Sequence, residues 1–178
     1  MRQEFRFRML LPAVQTVLAT LFGGVGLWQR NEILNRPFLG DQRLWESTAR
    51  FHVWPWPYKF AVISNMPAFL AGSLVSLPIR VLLPVNALSP GLPEAVELAI
   101  SLVFVAMLWY WVGDRFDRRW PAAGDAGVFS GSRTPWILLL IFTAVCLVGA
   151  LLPIGHVGYV PCGALLWLTT VFIIRGRH

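Results

Sequence analysis

The sequence predicts an all-α integral membrane protein, a bundle of about five transmembrane helices with one amphipathic, aromatic loop. Hydrophobic residues make up 56% of the chain and charged residues only 13%, which leaves too little polar surface for a soluble domain. The apolar residues are also concentrated in five stretches, each near the roughly 20 residues that cross a ~30 Å hydrocarbon core as a helix. The predicted spans are 9–28, 60–83, 95–112, 135–152 and 157–174. The remaining segments are too short for a second core, so residues 1–178 are predicted to form a single polytopic domain.

The first span follows a basic start, Met1–Arg8, that partly resembles a signal peptide. Its apolar run reaches Trp28, which is longer than a usual signal core, and therefore favours a helix that is retained. One face of this helix carries small residues at helical spacing, namely Ala13, Thr16, Thr20 and Gly24. Such a face lets another helix approach closely in lipid.

The loop over residues 29–59 is predicted to lie at the membrane surface. Asp41–His52 is expected to form a short amphipathic helix with an acidic N-cap. The prolines that follow are predicted to prevent a helix, and their aromatic neighbours Trp54, Trp56 and Tyr58 suit the headgroup layer. A polyproline-type ligand for a partner is the alternative, but the usual charged flank is missing.

The second span combines packing residues with the most polar groups inside any span. Ala68, Gly72 and Ser76 share one helical face and are predicted to pack against another helix. Asn65 precedes Pro67, which has no N–H and so leaves the carbonyl of Ile63 without its helical donor. Asn65 is predicted either to line a polar cavity or to tie this span to a neighbour. Arg80 lies toward the end of the span, where its side chain is expected to reach the interface.

The last three spans have recognisable boundaries. Pro93 opens the third, and Trp109 and Trp111 close it as a predicted interfacial belt before an arginine-rich segment. Because antiparallel spans bring their ends together, this belt is expected on the same face as Trp54–Tyr58. Residues 153–156 are predicted to form a tight turn between the fourth and fifth spans, which would place Cys146 and Cys162 at similar depth.

Orientation is ambiguous on charge alone. Five full spans with the N-terminus outside place eleven basic residues inside and four outside, but leave Arg2, Arg6 and Arg8 on the wrong side for a first helix. If the second span is instead re-entrant, both termini are inside, with nine basic residues inside and six outside. We favour five full spans and keep the re-entrant topology as the alternative.

The sequence predicts no catalytic, cofactor-binding or metal-binding residue. The acid pairs Asp114/Asp117 and Glu94/Glu97 are explained by local ion pairing and a helix N-terminus, respectively. The histidines lie outside the span centres, which argues against haem.

The predicted partners are the lipid bilayer and other membrane subunits or a second copy of the chain, not nucleic acid, because the basic residues flank spans. The expected location is a multi-pass position in a bacterial-type plasma membrane. The favoured role is a non-catalytic subunit or assembly partner. A small oligomeric transporter or channel and a membrane-embedded enzyme are the alternatives.

Overall fold

The fold is given by a computed structural model, which describes residues 7–35, 54–82, 92–119, 134–152 and 156–175. All regular secondary structure in these ranges is helical, as the sequence predicts. The helices are α1 (Phe7–Leu34), α2 (Trp56–Ser64), α3 (Met66–Leu82), α4 (Leu92–Arg119), α5 (Thr134–Leu151) and α6 (His156–Arg175). The surface helix predicted over Asp41–His52 lies outside the described residues.

Three of these helices, α1, α4 and α5, are long and apolar enough to cross a membrane. The predicted second span is not one straight helix, because α2 and α3 meet at an angle of 97°. α6 contains a shorter apolar stretch, Val160–Phe172. Several apolar helices are therefore confirmed within the described ranges, whereas the predicted count of five spans is not.

α1 and α4 lie antiparallel and form the most extensive helix contact in the described part of the chain. The backbone N–H of Phe7, at the start of α1, donates to Asp117 near the end of α4. At the opposite end, Arg30 of α1 pairs with Glu94 in the first turn of α4. These contacts define two ends of the bundle, which we call the Phe7 end and the Arg30 end.

α2 enters the bundle from the Arg30 end, and α3 returns toward it. The prolines do not prevent α2, contrary to the prediction, because Pro57 lies in its first turn, where a backbone N–H has no helical partner. Tyr58, in the same turn, lies against Gly26 of α1. α2 then stops at Asn65, which contacts Trp109 in the second half of α4. Along α3, Gly72 packs on Ser101 of α4. α2 and α3 therefore form a V whose tip is inside the bundle.

α5 and α6 complete the bundle as an antiparallel pair. α5 begins at the Phe7 end, where the rings of Trp136 and Phe7 have centroids 5.2 Å apart. It finishes near α2, since Lys59 Nζ donates to the Leu152 carbonyl at 3.3 Å. α6 starts beside that point and runs back, so the chain's first and last described helices have their outer ends at the Phe7 end.

Candidate functional site: the elbow between α2 and α3

The junction of α2 and α3, here called the elbow (residues 61–69), contains the polar groups that the sequence placed deepest in a span. Pro67 has no backbone N–H, so the α-helical ladder cannot continue through it. The chain breaks at Asn65, whose φ and ψ are −127° and 28°. α3 then restarts, with the Asn65 carbonyl accepting from the N–H groups of Ala68 and Phe69.

Asn65 is 1% exposed, and both ends of its carboxamide are hydrogen-bonded to neighbours. Its Nδ2 donates to the Ala61 carbonyl and to Ser64 Oγ, both at 2.9 Å. Its Oδ1 accepts from Trp109 Nε1 at 2.6 Å. An indole N–H can only donate, so this contact also fixes which end of the amide faces α4. Asn65 thus ties the elbow to α4, one of the two roles predicted for it.

The carbonyl that Pro67 leaves without a helical donor is also paired. Trp167 of α6 donates from Nε1 to the Ile63 carbonyl at 3.3 Å. An unpaired carbonyl in an apolar interior costs free energy comparable to a lost hydrogen bond. Trp167 therefore both satisfies the break and attaches α6 to it.

The two indoles that pair with the elbow also belong to an aromatic triangle. Trp109, Phe142 and Trp167 come from α4, α5 and α6, and their ring centroids lie 5.5–5.7 Å apart. The interplanar angles of 72–82° are edge-to-face arrangements, which favour aromatic pairs beyond their buried area. The elbow and the triangle together join five of the six described helices.

The small-residue face of α3 is used within the chain. Ala68 and Ser76 are buried, at 2% and 1% exposure. A Cβ placed on Gly72 would lie 2.9 Å from the Cα of Ser101, so only glycine allows this approach of α3 to α4. The next residue, Ser73, donates from Oγ to Oε1 of Glu97, which lies one turn before Ser101 on α4.

The predicted interfacial belt needs correction. Trp109 is 2% exposed and lies in the core, not at a lipid-facing surface. Trp111 is half-buried, with the guanidinium of Arg115 5.7 Å from its ring centroid. α4 carries this cluster toward the Phe7 end of the bundle, whereas Trp54–Tyr58 lie at the Arg30 end. The face of the membrane that each cluster occupies stays a prediction.

The other predicted belt residues lie at the Arg30 end. Trp54 stacks on Tyr58, with ring centroids 4.6 Å apart, while Trp56 is 43% exposed. The guanidinium of Arg30 lies 4.1 Å from the centroid of the Trp54 ring. Arg30 is only 6% exposed, and Glu94 and the indole face compensate its charge.

One long-range contact of Asp117 is not predicted from the sequence. Asp117 accepts from the backbone N–H groups of Phe7 and Arg8 at 3.0 and 3.1 Å, and therefore caps the N-terminus of α1. The local ion pair predicted from the sequence is present at Asp114, whose carboxylate lies 2.9 Å from the guanidinium of Arg118. A capping residue 110 positions away in sequence leaves no local signal.

Four other residues were singled out from the sequence: Pro67, Arg80, Cys146 and Cys162. Pro67 is half-buried in the first turn of α3. The side chain of Arg80 lies outside the described residues. Cys146 is buried and Cys162 exposed, and both are free thiols. Within the described ranges, no three His, Cys, Asp or Glu side chains converge as a metal site.

In comparisons with protein-family models, with curated proteins and with solved structures, this chain has no match.

Proposed function

We propose that this chain is a non-catalytic membrane protein that works as a subunit or assembly partner, and that the outer face of α1 is its helix-binding surface. The observation that carries this proposal is that α1 has two small-residue faces, of which only one is used within the chain. The expected location in a bacterial-type plasma membrane stays a prediction.

The inner face of α1 is filled by neighbouring helices. Gly23 lies against Leu98 of α4 and Gly26 against the backbone of Tyr58, while Ala19 is 1% exposed. Small residues let two helix backbones approach closely. In lipid this close packing stabilises helix pairs, because the hydrophobic effect does not drive apolar helices together there.

The outer face carries the residues singled out from the sequence and is open. Ala13 and Thr20 are exposed, and a Cβ on Gly24 would meet no atom within 4 Å. Thr20 donates its hydroxyl to the carbonyl of Thr16 at 2.7 Å, whereas the hydroxyl of Thr16 itself is buried and has no hydrogen-bond partner. A helix from another chain is the occupant that such a face fits best.

The topology we propose differs from five full spans. α1, α4, α5 and α6 cross the membrane, and the α2–α3 V enters and leaves at the Arg30 end without crossing. The segments flanking the Phe7 end carry nine Lys and Arg residues and those flanking the Arg30 end carry six. This arrangement puts the arginines ahead of α1 in the cytoplasm with both termini, as the positive-inside rule favours.

The elbow supports an assembly role over transport. The amide of Asn65 and the freed carbonyl of Ile63 are the groups that a polar cavity would need, and both are already paired inside the chain. The transporter alternative therefore loses the support of Asn65 and of the carbonyl that Pro67 frees.

Mild-detergent extraction followed by mass measurement tests the proposal. The parent protein is expected to run with a stoichiometric partner, and Gly24→Leu is expected to release it without changing the melting temperature. Val25→Phe adds similar bulk at an exposed position off this face and serves as the matched control. A single chain without a stoichiometric partner would contradict the proposal, as would a homo-oligomer enclosing a polar lumen.

A further inference from the structure

We propose that the Phe7 end of the bundle gathers anionic phospholipids around it, in the leaflet on that side of the membrane. This inference rests on the membrane placement proposed above. The observation that carries it is the distribution of net charge between the two ends of the bundle. The surface needs no pocket, because attraction between a charged surface and charged headgroups acts over about 10 Å at 0.1 M salt.

The net charge of the chain lies almost entirely at the Phe7 end. The segments that flank this end, residues 1–8, 113–134 and 175–178, hold nine Lys and Arg and four Asp and Glu, a net charge of +5. The segments that flank the Arg30 end, residues 29–59 and 80–97, hold six and five, a net charge of +1. The positive-inside rule counts only Lys and Arg, so it does not predict this imbalance in net charge. The headgroups of the two leaflets therefore meet very different fields.

Two acids of the Phe7 end already have partners within the chain. Asp117 accepts from the backbone N–H groups of Phe7 and Arg8, so its carboxylate lies against the positive pole of α1. Asp114 pairs with Arg118 at 2.9 Å, and this pair is neutral. Other arginines of this end therefore provide the attraction for anionic headgroups.

Two such arginines, Arg8 and Arg115, lie at about the same level of the bundle and are exposed. α1 and α4 touch here, because a Cβ on Gly113 would lie 2.6 Å from the Cα of Arg8. Arg115 follows Gly113 by two residues, about 3 Å of helix rise. Its guanidinium is 5.7 Å from the ring centroid of the half-buried Trp111. Since indoles favour the boundary between hydrocarbon and headgroups, this contact puts the guanidinium where lipid phosphates lie.

Electron paramagnetic resonance of the full chain, reconstituted in dioleoyl phosphatidylcholine, tests the inference. The probes are spin-labelled phosphatidylglycerol and spin-labelled phosphatidylcholine, whose motionally restricted components give their relative association with the protein surface. One arginine near a membrane surface favours an anionic lipid about fivefold. Because only one end of the bundle is strongly basic, we expect an averaged preference for phosphatidylglycerol of about twofold. In 1 M NaCl, where the Debye length is about 3 Å, the preference is expected to disappear.

Charge removal at each end tests where the surface lies. Arg8→Gln combined with Arg115→Gln is expected to bring the two lipids toward equal association. Arg8→Lys combined with Arg115→Lys keeps the charge and is expected to keep the preference. Arg43→Gln combined with Arg50→Gln is the matched control, because it removes the same charge from the segment between α1 and α2 at the Arg30 end. This control is expected to lower the preference less than half as much.

Equal association of the two lipids with the parent would overturn the inference. So would a preference that persists in 1 M NaCl, or one that falls equally in the two double Gln variants. Failure of the membrane placement would look different, because neither lipid would then show a restricted component, and it would overturn this inference as well. The result is independent of the proposed assembly partner, since the measurement uses the purified chain alone.

Discussion

The Oδ1 of Asn65 accepts a 2.6 Å hydrogen bond from the indole N–H of Trp109, 44 positions away, with both residues almost completely buried. This bond joins the elbow to α4 at the depth where α2 stops. It explains why Trp109, which lies in an aromatic run resembling a membrane-interface belt, faces the core instead. A buried indole N–H needs an acceptor, and Asn65 supplies it.

Removing this acceptor is expected to destabilise the bundle. Asn65→Leu leaves Trp109 Nε1 buried without a partner, which costs about 1–3 kcal/mol in free energy of unfolding. In a double-mutant cycle with Trp109→Phe, the coupling energy is expected at about 0.6–1.7 kcal/mol, as for other hydrogen bonds between membrane helices. Unfolding by SDS titration in mixed micelles measures each free energy.

Trp111→Phe is the control for this cycle, because Trp111 is half-buried on the same helix. Trp111→Phe should lower the free energy of unfolding by less than about 1 kcal/mol, which is the strength of an exposed cation–π contact. Additive effects of Asn65→Leu and Trp109→Phe would show that the contact contributes nothing.

Adding one methyl group is expected to have opposite effects at two glycines. Gly72→Ala drives a Cβ into the backbone of Ser101 and should destabilise by about 1–3 kcal/mol, as overpacking does. Gly24→Ala meets open space and should leave the melting temperature unchanged or raise it, because alanine favours helix. Equal melting of Gly72→Ala and the parent would mean that α3 and α4 are not in this contact.

The cap on α1 makes a further prediction. Asp117→Ala removes the acceptor for two backbone N–H groups and a charge that the helix dipole favours, so a loss of about 0.5–2 kcal/mol is expected. Asp114→Ala is the control, since it removes the pair with Arg118, which stabilises a helix by about 0.2–0.5 kcal/mol. Thermal melting of both variants under identical conditions should rank Asp117→Ala as the more harmful.

The proposed topology predicts which ends an impermeant maleimide reaches in sealed cells. In a variant without the two native cysteines, Asn35→Cys should be labelled from outside. Arg8→Cys and Arg118→Cys should be labelled only after permeabilisation, which also serves as the positive control for all three. Five full spans with an outside N-terminus predict the reverse at positions 8 and 35, so labelling of Arg8→Cys in sealed cells would rule out the re-entrant topology.

Much of the secondary structure follows from the sequence because its causes are local. Apolar length predicts α1, α4 and α5 to within a few residues at most ends, and the pair Thr134–Pro135 marks the start of α5. Pro67 also predicts that the carbonyl of Ile63 must find another donor. The sequence does not say which donor, since Trp167 lies 104 positions away.

The tertiary structure alone decided which faces of these helices are used. The sequence identifies small-residue faces on α1 and α3, yet the α3 face packs inside the chain while that of α1 is open. It also places Trp109 and Trp111 in one aromatic run, of which one is core and the other half-buried. Hydropathy cannot separate these cases, because lipid tails are as apolar as a protein interior. In such a chain, hydrophobicity determines that a helix forms, whereas close packing and a few long-range hydrogen bonds determine which of its sides is buried.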